Sequence, residues 1–266
     1  MQIFIRLVFT FAILMPVTGW PDAGNETYQS TILITGANRG IGLEFVRQYS
    51  QLQWKVIATA RKPAEADELN ALASNNNNIV IEQLDVTDHQ RIDELAQKYQ
   101  SQAIDILMNN AAITPKYLSA FRSLDGVDLN MARLSFDVNA MGPLKMAQAF
   151  MPHVEASQQK KIIVISSKAG SFAESPEAAM MYSYRASKAA LNMYMYTLAF
   201  ETEKRGIILT LLSPGTVNTM GFFGRFMPGS IQPEESVSNM VNVIAELKLQ
   251  DNGKMLNHID GSVISW

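Results

Sequence analysis

The chain has 266 residues, 47% of them hydrophobic and 18% charged, with a formal net charge of -3. This is ordinary globular composition, long enough for a well-buried core and without the basic excess of a nucleic-acid binder. With no cysteine, disulfides, thiolate-ligated zinc and a thiol nucleophile are excluded, and His89, His153 and His258 are too scattered to suggest a metal centre.

Residues 3–17 are almost wholly apolar, interrupted by Arg6 and Thr10, and run through Pro16 into Gly19, Trp20 and Pro21. That length is short for a membrane span and suits the core of a signal segment. A cleaved leader, an uncleaved anchor and a misassigned start are the three readings of residues 1–24. Compartment follows the same division: export or membrane association with the leader, cytoplasm without it. The folded domain is expected over residues 25–266.

Beyond the leader, strand-like and helix-like stretches alternate. Residues 31–35 form a short β-branched run of buried-strand type, followed by a glycine-rich turn and a helical stretch over 41–51. A second strand is predicted over 55–60, with Pro63 opening the next helix and the asparagines 75–78 closing it. Strands over 79–84 and 104–108 come next, the helix between them capped by Asp88. One long helix is predicted over 128–155, then a strand over 161–166. A helix over 183–205 ends at Gly206, and a strand over 207–212 follows it. Pro233 starts the last helix, and residues 255–258 make a short final strand. This alternation predicts an α/β chain, a parallel sheet with helices on both faces. Ligands on such sheets bind beyond the strand carboxyl ends.

The turn after the first strand reads Thr35-Gly36-Ala37-Asn38-Arg39-Gly40-Ile41-Gly42. Gly36 permits a sharp exit, Gly40 lets backbone approach a phosphate, and Gly42 lets the helix pack close to the sheet. The N-terminus of the following helix offers unpaired N–H groups to a pyrophosphate. The second strand ends Thr59-Ala60-Arg61-Lys62, with no acid to accept a ribose 2′-hydroxyl. Arg39 and Arg61 suit a 2′-phosphate instead, so NADP(H) is favoured and NAD(H) is the alternative.

Tyr184 and Lys188, four residues apart, share one helix face. A neighbouring ammonium is expected to lower the phenol pKa towards the range useful for general acid–base work. Tyr182, the competing phenol, has Ala186 four residues on.

The spacing of the glycine turn resembles that of the short-chain dehydrogenase/reductase family, and four further motifs stand in that family's order. They are Asp85-Val86, Asn109-Asn110-Ala111, Tyr184-Arg-Ala-Ser-Lys188 and Pro214-Gly215. The ending Asp260-Gly-Ser-Val-Ile-Ser-Trp266 and the run Tyr184–Leu191 are similar to the carbonyl-reductase and C-factor branch. One departure is Ala112, where the family usually has glycine. The resemblance implies a single Rossmann-type doubly wound parallel sheet of about seven strands in the order 3-2-1-4-5-6-7, and an oxidoreductase moving hydride between nicotinamide and a carbonyl/alcohol pair. It implies Tyr184 as general acid/base, Lys188 on the ribose hydroxyls, Ser167 on the substrate oxygen and Asn139 holding a water for Lys188. Ser166 is the alternative serine. Cofactor contacts are implied for Asp85 and Val86 at the adenine, Asn110 and Ala111 beside the ribose, and Pro214, Gly215, Val217 and Thr219 at the nicotinamide.

Residues 220–227, rich in Phe, Met and Gly, together with Met180 and Met181, suggest a mobile apolar cover over a small aldehyde, ketone or alcohol. A cofactor-binding regulatory protein with little turnover is the rival reading, and the intact set Asn139, Ser167, Tyr184 and Lys188 favours the enzyme. By resemblance a homodimer or homotetramer is expected, with membrane contact only through the leader.

Overall fold

A computed structural model describes residues 28–114, 123–174, 176–218 and 229–266. The leader, Thr219 and residues 220–227 lie outside the described residues. Seven parallel strands form one sheet: β1 (Thr31–Ile34), β2 (Lys55–Ala60), β3 (Ile79–Gln83), β4 (Ile106–Asn109), β5 (Lys161–Ile165), β6 (Ile208–Ser213) and β7 (Met255–Asn257). Their order is β3-β2-β1-β4-β5-β6-β7, as the resemblance implied.

Alternation along each strand sends side chains to two cores. Leu33, Leu107, Val164 and Leu211 point to one face, and Ile32, Ile34, Met108 and Ile163 to the other. The helices are α1 (Gly40–Gln51), α2 (Asp67–Ser74), α3 (His89–Lys98), α4 (Leu129–Phe136), α5 (Gly142–Glu155), α6 (Tyr182–Lys204) and α7 (Pro233–Glu246). Phe150 of α5 and Leu191 and Met195 of α6 cover the first face; Phe45 of α1, Leu69 of α2 and Met240 of α7 cover the second. Each large side chain so buried contributes about 1.5–3 kcal/mol.

Caps stand where polar residues precede the helices. Asp88 accepts the Arg91 N–H at the start of α3, Asp128 accepts those of Asn130 and Met131 at α4, and Pro233 opens α7. At the amino ends of the strands, fully buried Asp105 accepts the backbone N–H groups of Thr31 at 2.9 Å, Gln158 at 3.2 Å and Gln159 at 3.1 Å, and the Tyr28 hydroxyl. One carboxylate thereby gathers three segments at the sheet's lower edge.

The structure corrects two expectations. Pro63 opens only a short 3₁₀ turn, Pro63–Glu65, before α2 begins at Asp67. The long helix predicted over 128–155 is interrupted at Asp137–Met141 by a π-helical turn that carries Asn139. One extra residue in a turn leaves the apolar periodicity on either side almost unchanged, and such turns gather at functional positions.

Candidate active site

Every strand's carboxyl end opens on one rim, and the candidate residues lie there. Thr35 follows β1 and shapes the first turn: its Oγ1 accepts the N–H groups of Asn110 and Ala111, both at 3.0 Å. The Asn110 side chain donates to the carbonyls of Thr35 at 2.9 Å and Gly36 at 3.1 Å. Asn110 therefore braces the glycine turn. Gly36 has φ +66°, and a Cβ there would meet the Ala111 Cα at 2.9 Å. A Cβ on Gly42 would meet the Gly36 carbonyl oxygen at 2.2 Å, so any side chain would push α1 off the turn.

Arg39 is the N-cap of α1 and makes no side-chain cap bond, which leaves the first-turn amides facing outward. Asn38, Arg39 and Arg61 are exposed. Lys62 is paired with Glu65 at 2.8 Å, whereas the guanidinium groups of Arg39 and Arg61 have no partner among the described residues. One Asp85 oxygen accepts from the Thr87 N–H and hydroxyl, forming the turn after β3. Val86 is buried against Gly142, where a Cβ would come within 3.0 Å of it. Ala112 is exposed.

On the far side of the rim, Ser167 lies beside Tyr184, close enough for its hydroxyl to pull the phenol's pKa down. Ser167 also caps a short 3₁₀ turn, Lys168–Gly170, by accepting the Ala169 N–H at 3.2 Å. Ser166 points elsewhere: its hydroxyl donates to Asn192 Oδ1 at 2.5 Å. Tyr184 and Lys188 share a face of α6, with Lys188 Nζ 5.9 Å from the centre of the tyrosine ring. That ammonium is 2% exposed and donates to the Ile165 carbonyl at 2.8 Å.

The electrostatics differ from the simple expectation of an ammonium making a phenol acidic. Burial pushes the Tyr184 phenol up, and the hydrogen bond with Ser167 opposes it. Burial likewise pulls Lys188 down from 10.5 to about 8. Desolvation is the largest cause at both groups, because phenolate and ammonium alike are disfavoured in low dielectric.

Asn139, fully buried in the π-turn, accepts the Ile113 N–H at 2.7 Å and donates to the Ile113 carbonyl at 2.9 Å and to Ser187 Oγ at 3.0 Å. Ser187 in turn donates to the Tyr184 carbonyl at 2.8 Å. Asn139 thus ties the segment after β4 to the turn of α6 that carries Tyr184. Pro214 and Gly215 follow β6. Ser236 of α7 donates to the Pro214 carbonyl at 2.7 Å, and Val217 bridges Ile231. Gly215 has φ +78°, and a Cβ there would meet the His258 ring at 2.6 Å. Sequence reasoning missed Ser187, Asn192 and His258. Asn192 alone carried a signal, standing four residues after Lys188 and so on the same helix face.

Residues 30–222 match the short chain dehydrogenase family. The chain belongs to that family. This short chain dehydrogenase is 32% identical over 261 residues to an uncharacterized oxidoreductase of Schizosaccharomyces pombe, covering 91% of this chain and 100% of that one. The crystal structure of NADPH-bound carbonyl reductase from chicken fatty liver superposes with a TM-score of 0.80 at 34% identity, covering 90% of this chain and 99% of that one. The carbonyl reductase Sniffer of D. melanogaster does so at 0.80 and 29%, covering 90% and 100%. The chain is therefore an oxidoreductase of the carbonyl-reductase-like branch.

Proposed function

We propose that this dehydrogenase reduces small aldehydes or ketones with NADPH, or oxidises the corresponding alcohols with NADP⁺, using Tyr184 as the proton-transferring group. The observation that carries the reading is the convergence of Ser167, Tyr184 and Lys188 on the rim that also holds the glycine turn.

The residues present fit a dinucleotide phosphate. Gly36, Asn38, Arg39, Gly40, Ile41 and Gly42 form a turn whose outward first-turn amides suit the pyrophosphate. Arg39 and Arg61, whose guanidinium groups have no partner among the described residues, with no acid at the end of β2, suit the 2′-phosphate of NADP(H); NAD(H) gains nothing from them and is expected to bind less tightly. Asp85 and Val86 would hold the adenine side, Asn110, Ala111 and Lys188 the ribose side, and Pro214, Gly215 and Val217 the nicotinamide side. Thr219, expected there too, is outside the described residues.

NADPH, when bound, supplies the hydride that reaches the carbonyl carbon. The Ser167 hydroxyl holds the substrate oxygen and stabilises the charge that grows on it. Tyr184 gives its proton to that oxygen, completing the alcohol. The phenolate so formed is stabilised by Lys188 and Ser167, and solvent returns the proton. A phenol pushed up by burial stays protonated at neutral pH, which suits an acid in the reductive direction. Asn139 holds the helix turn under Tyr184.

The apolar character proposed for the substrate rests on Met180 and Met181 at the entrance to α6. Exposed Leu129 and Leu134 of α4 and Met193 and Phe200 of α6 support pairing of two copies through these helices. A panel of aldehydes and ketones, followed by loss of reduced-nicotinamide absorbance with NADPH and NADH in turn, tests the proposal. Turnover with at least one carbonyl and preference for NADPH are expected. Binding of NADPH with no turnover across the panel would favour the regulatory reading.

A further inference from the structure

Asn192 lies on α6 two turns beyond Tyr184 and one beyond Lys188, is 3% exposed, and appears nowhere in the reaction as proposed. Its side-chain amide reaches across to the end of β5. Nδ2 donates to the Gly170 carbonyl at 3.2 Å and lies 3.9 Å from the Met255 sulfur, while Oδ1 accepts the Ser166 hydroxyl at 2.5 Å. The orientation follows from the partners. A carbonyl only accepts, so the NH₂ must face Gly170, which leaves the oxygen for Ser166 and makes that hydroxyl the donor.

Ser166 and Gly170 bracket the turn in which Ser167 sits. Lys188 fastens the residue just before them, Ile165, through its carbonyl. Gly170 is pressed so closely on α6 that a Cβ would meet the Lys188 backbone carbon at 2.7 Å. From one face of one helix, then, Lys188 and Asn192 hold the strand end and both sides of the turn.

We infer that Asn192 is a positioning residue: its amide clamps Ser166 and Gly170 so that the hydroxyl of Ser167 is held on Tyr184. The inference rests on the proposed roles of Ser167 and Tyr184. It also offers a reason for two adjacent serines at this place: Ser166 is the anchor and Ser167 the working group. Catalytic geometry tolerates little slack, since a displacement of about 1 Å can cost on the order of a hundredfold in rate. Because the bond with Ser167 opposes the upward push of burial on Tyr184, a loosened turn should let the phenol rise further.

The test compares Asn192→Ala, Ser166→Ala, Ser167→Ala and the double variant Asn192→Ala/Ser167→Ala in the full chain. It measures kcat and KM, NADPH affinity by fluorescence titration, and the alkaline arm of the pH profile for alcohol oxidation. For Asn192→Ala the expected result is a fall in kcat of about tenfold, an unchanged NADPH affinity, and a pH midpoint moved upward. Ser166→Ala, which removes one arm of the clamp and is the milder change, should move kcat and midpoint the same way by less. The double variant should be no slower than Ser167→Ala alone, because the clamp acts through that serine.

Wild-type kcat and midpoint in folded Asn192→Ala, or in Ser166→Ala should the former not fold, overturn the inference. So does a full multiplicative loss in the double variant. If Ser167→Ala itself turns over like wild type, the proposed chemistry fails and the clamp with it. If Ser167→Ala is slow and Asn192→Ala is not, the clamp alone is wrong.

Discussion

Lys188 donates a hydrogen bond from Nζ to the carbonyl oxygen of Ile165 at 2.8 Å, fixing the helix that carries Tyr184 to the strand end that leads into Ser167. The bond orients the ammonium but does not replace the water it has lost, and burial holds its pKa at about 8.

A pH dependence follows. Below pH 8 Lys188 is charged and supports the phenolate left by proton donation; above it the charge is lost. Tyr184, pushed above its ordinary value of 10, is still protonated there. We expect kcat/KM for carbonyl reduction to fall above about pH 8, a steady-state profile from pH 6 to 10 being the check. A flat profile to pH 10 would contradict this. The stability contribution of Lys188 has the opposite sign. Between its folded value near 8 and its unfolded value of 10.5 the unfolded chain binds more protons, so that contribution rises with pH across the window.

Arg39 and Arg61, both exposed and without a partner for their guanidinium groups among the described residues, should discriminate between the nicotinamide cofactors. Replacing either with alanine is expected to weaken NADPH binding about tenfold and leave NADH binding unchanged, the modest size reflecting solvent screening of exposed charges. Fluorescence titration with both cofactors at two salt concentrations reads the effect. An equal loss for NADPH and NADH would show that the two guanidinium groups do not meet a 2′-phosphate.

The strand–helix alternation was legible because the central strands are buried on both faces: every residue of Thr31–Ile34 is buried, and Ile32, Leu33 and Ile34 form an unbroken apolar run. The rim motifs were legible because turns that bend sharply or approach a ligand admit few residue types, as Gly36 and Gly42 show. Other features were not. The π-turn at Asp137–Met141 adds one residue without disturbing the apolar stripes beside it. Ser187 looks, in one dimension, like an ordinary polar helix residue, and the spacing of Asn192 from Lys188 gives its face but not its partners; only the folded chain brings them against Asn139 and Ser166. The raised pKa of Tyr184 depends on how much of the ring the fold desolvates, which spacing to Lys188 does not encode.

Asn139 spends its amide on Ile113 and Ser187. Asn139→Ala should orphan buried partners and destabilise the protein by about 2–3 kcal/mol. It should also slow turnover by releasing the segment after β4 and the Ser187 hydroxyl beneath Tyr184. Urea unfolding read alongside kcat separates the two effects. Unchanged stability would mean that water replaces the amide without cost.

At the opposite end of the sheet, Asp105 tests whether stability and chemistry are separable. Asp105→Ala leaves the amides of Thr31, Gln158 and Gln159 without their acceptor and should cost about 3 kcal/mol of stability. Since the site lies at the carboxyl ends of the strands, kcat per folded molecule should stay at the wild-type value. A loss of kcat in folded protein would show coupling across the sheet.

The proton-donating role of Tyr184 is tested most directly by single-turnover oxidation of bound NADPH on mixing with a carbonyl substrate, in wild type and Tyr184→Phe. The phenyl ring preserves the packing, so NADPH affinity should be unchanged, while the rate constant should fall by about a hundredfold or more. An equal rate constant in both proteins would contradict the assignment.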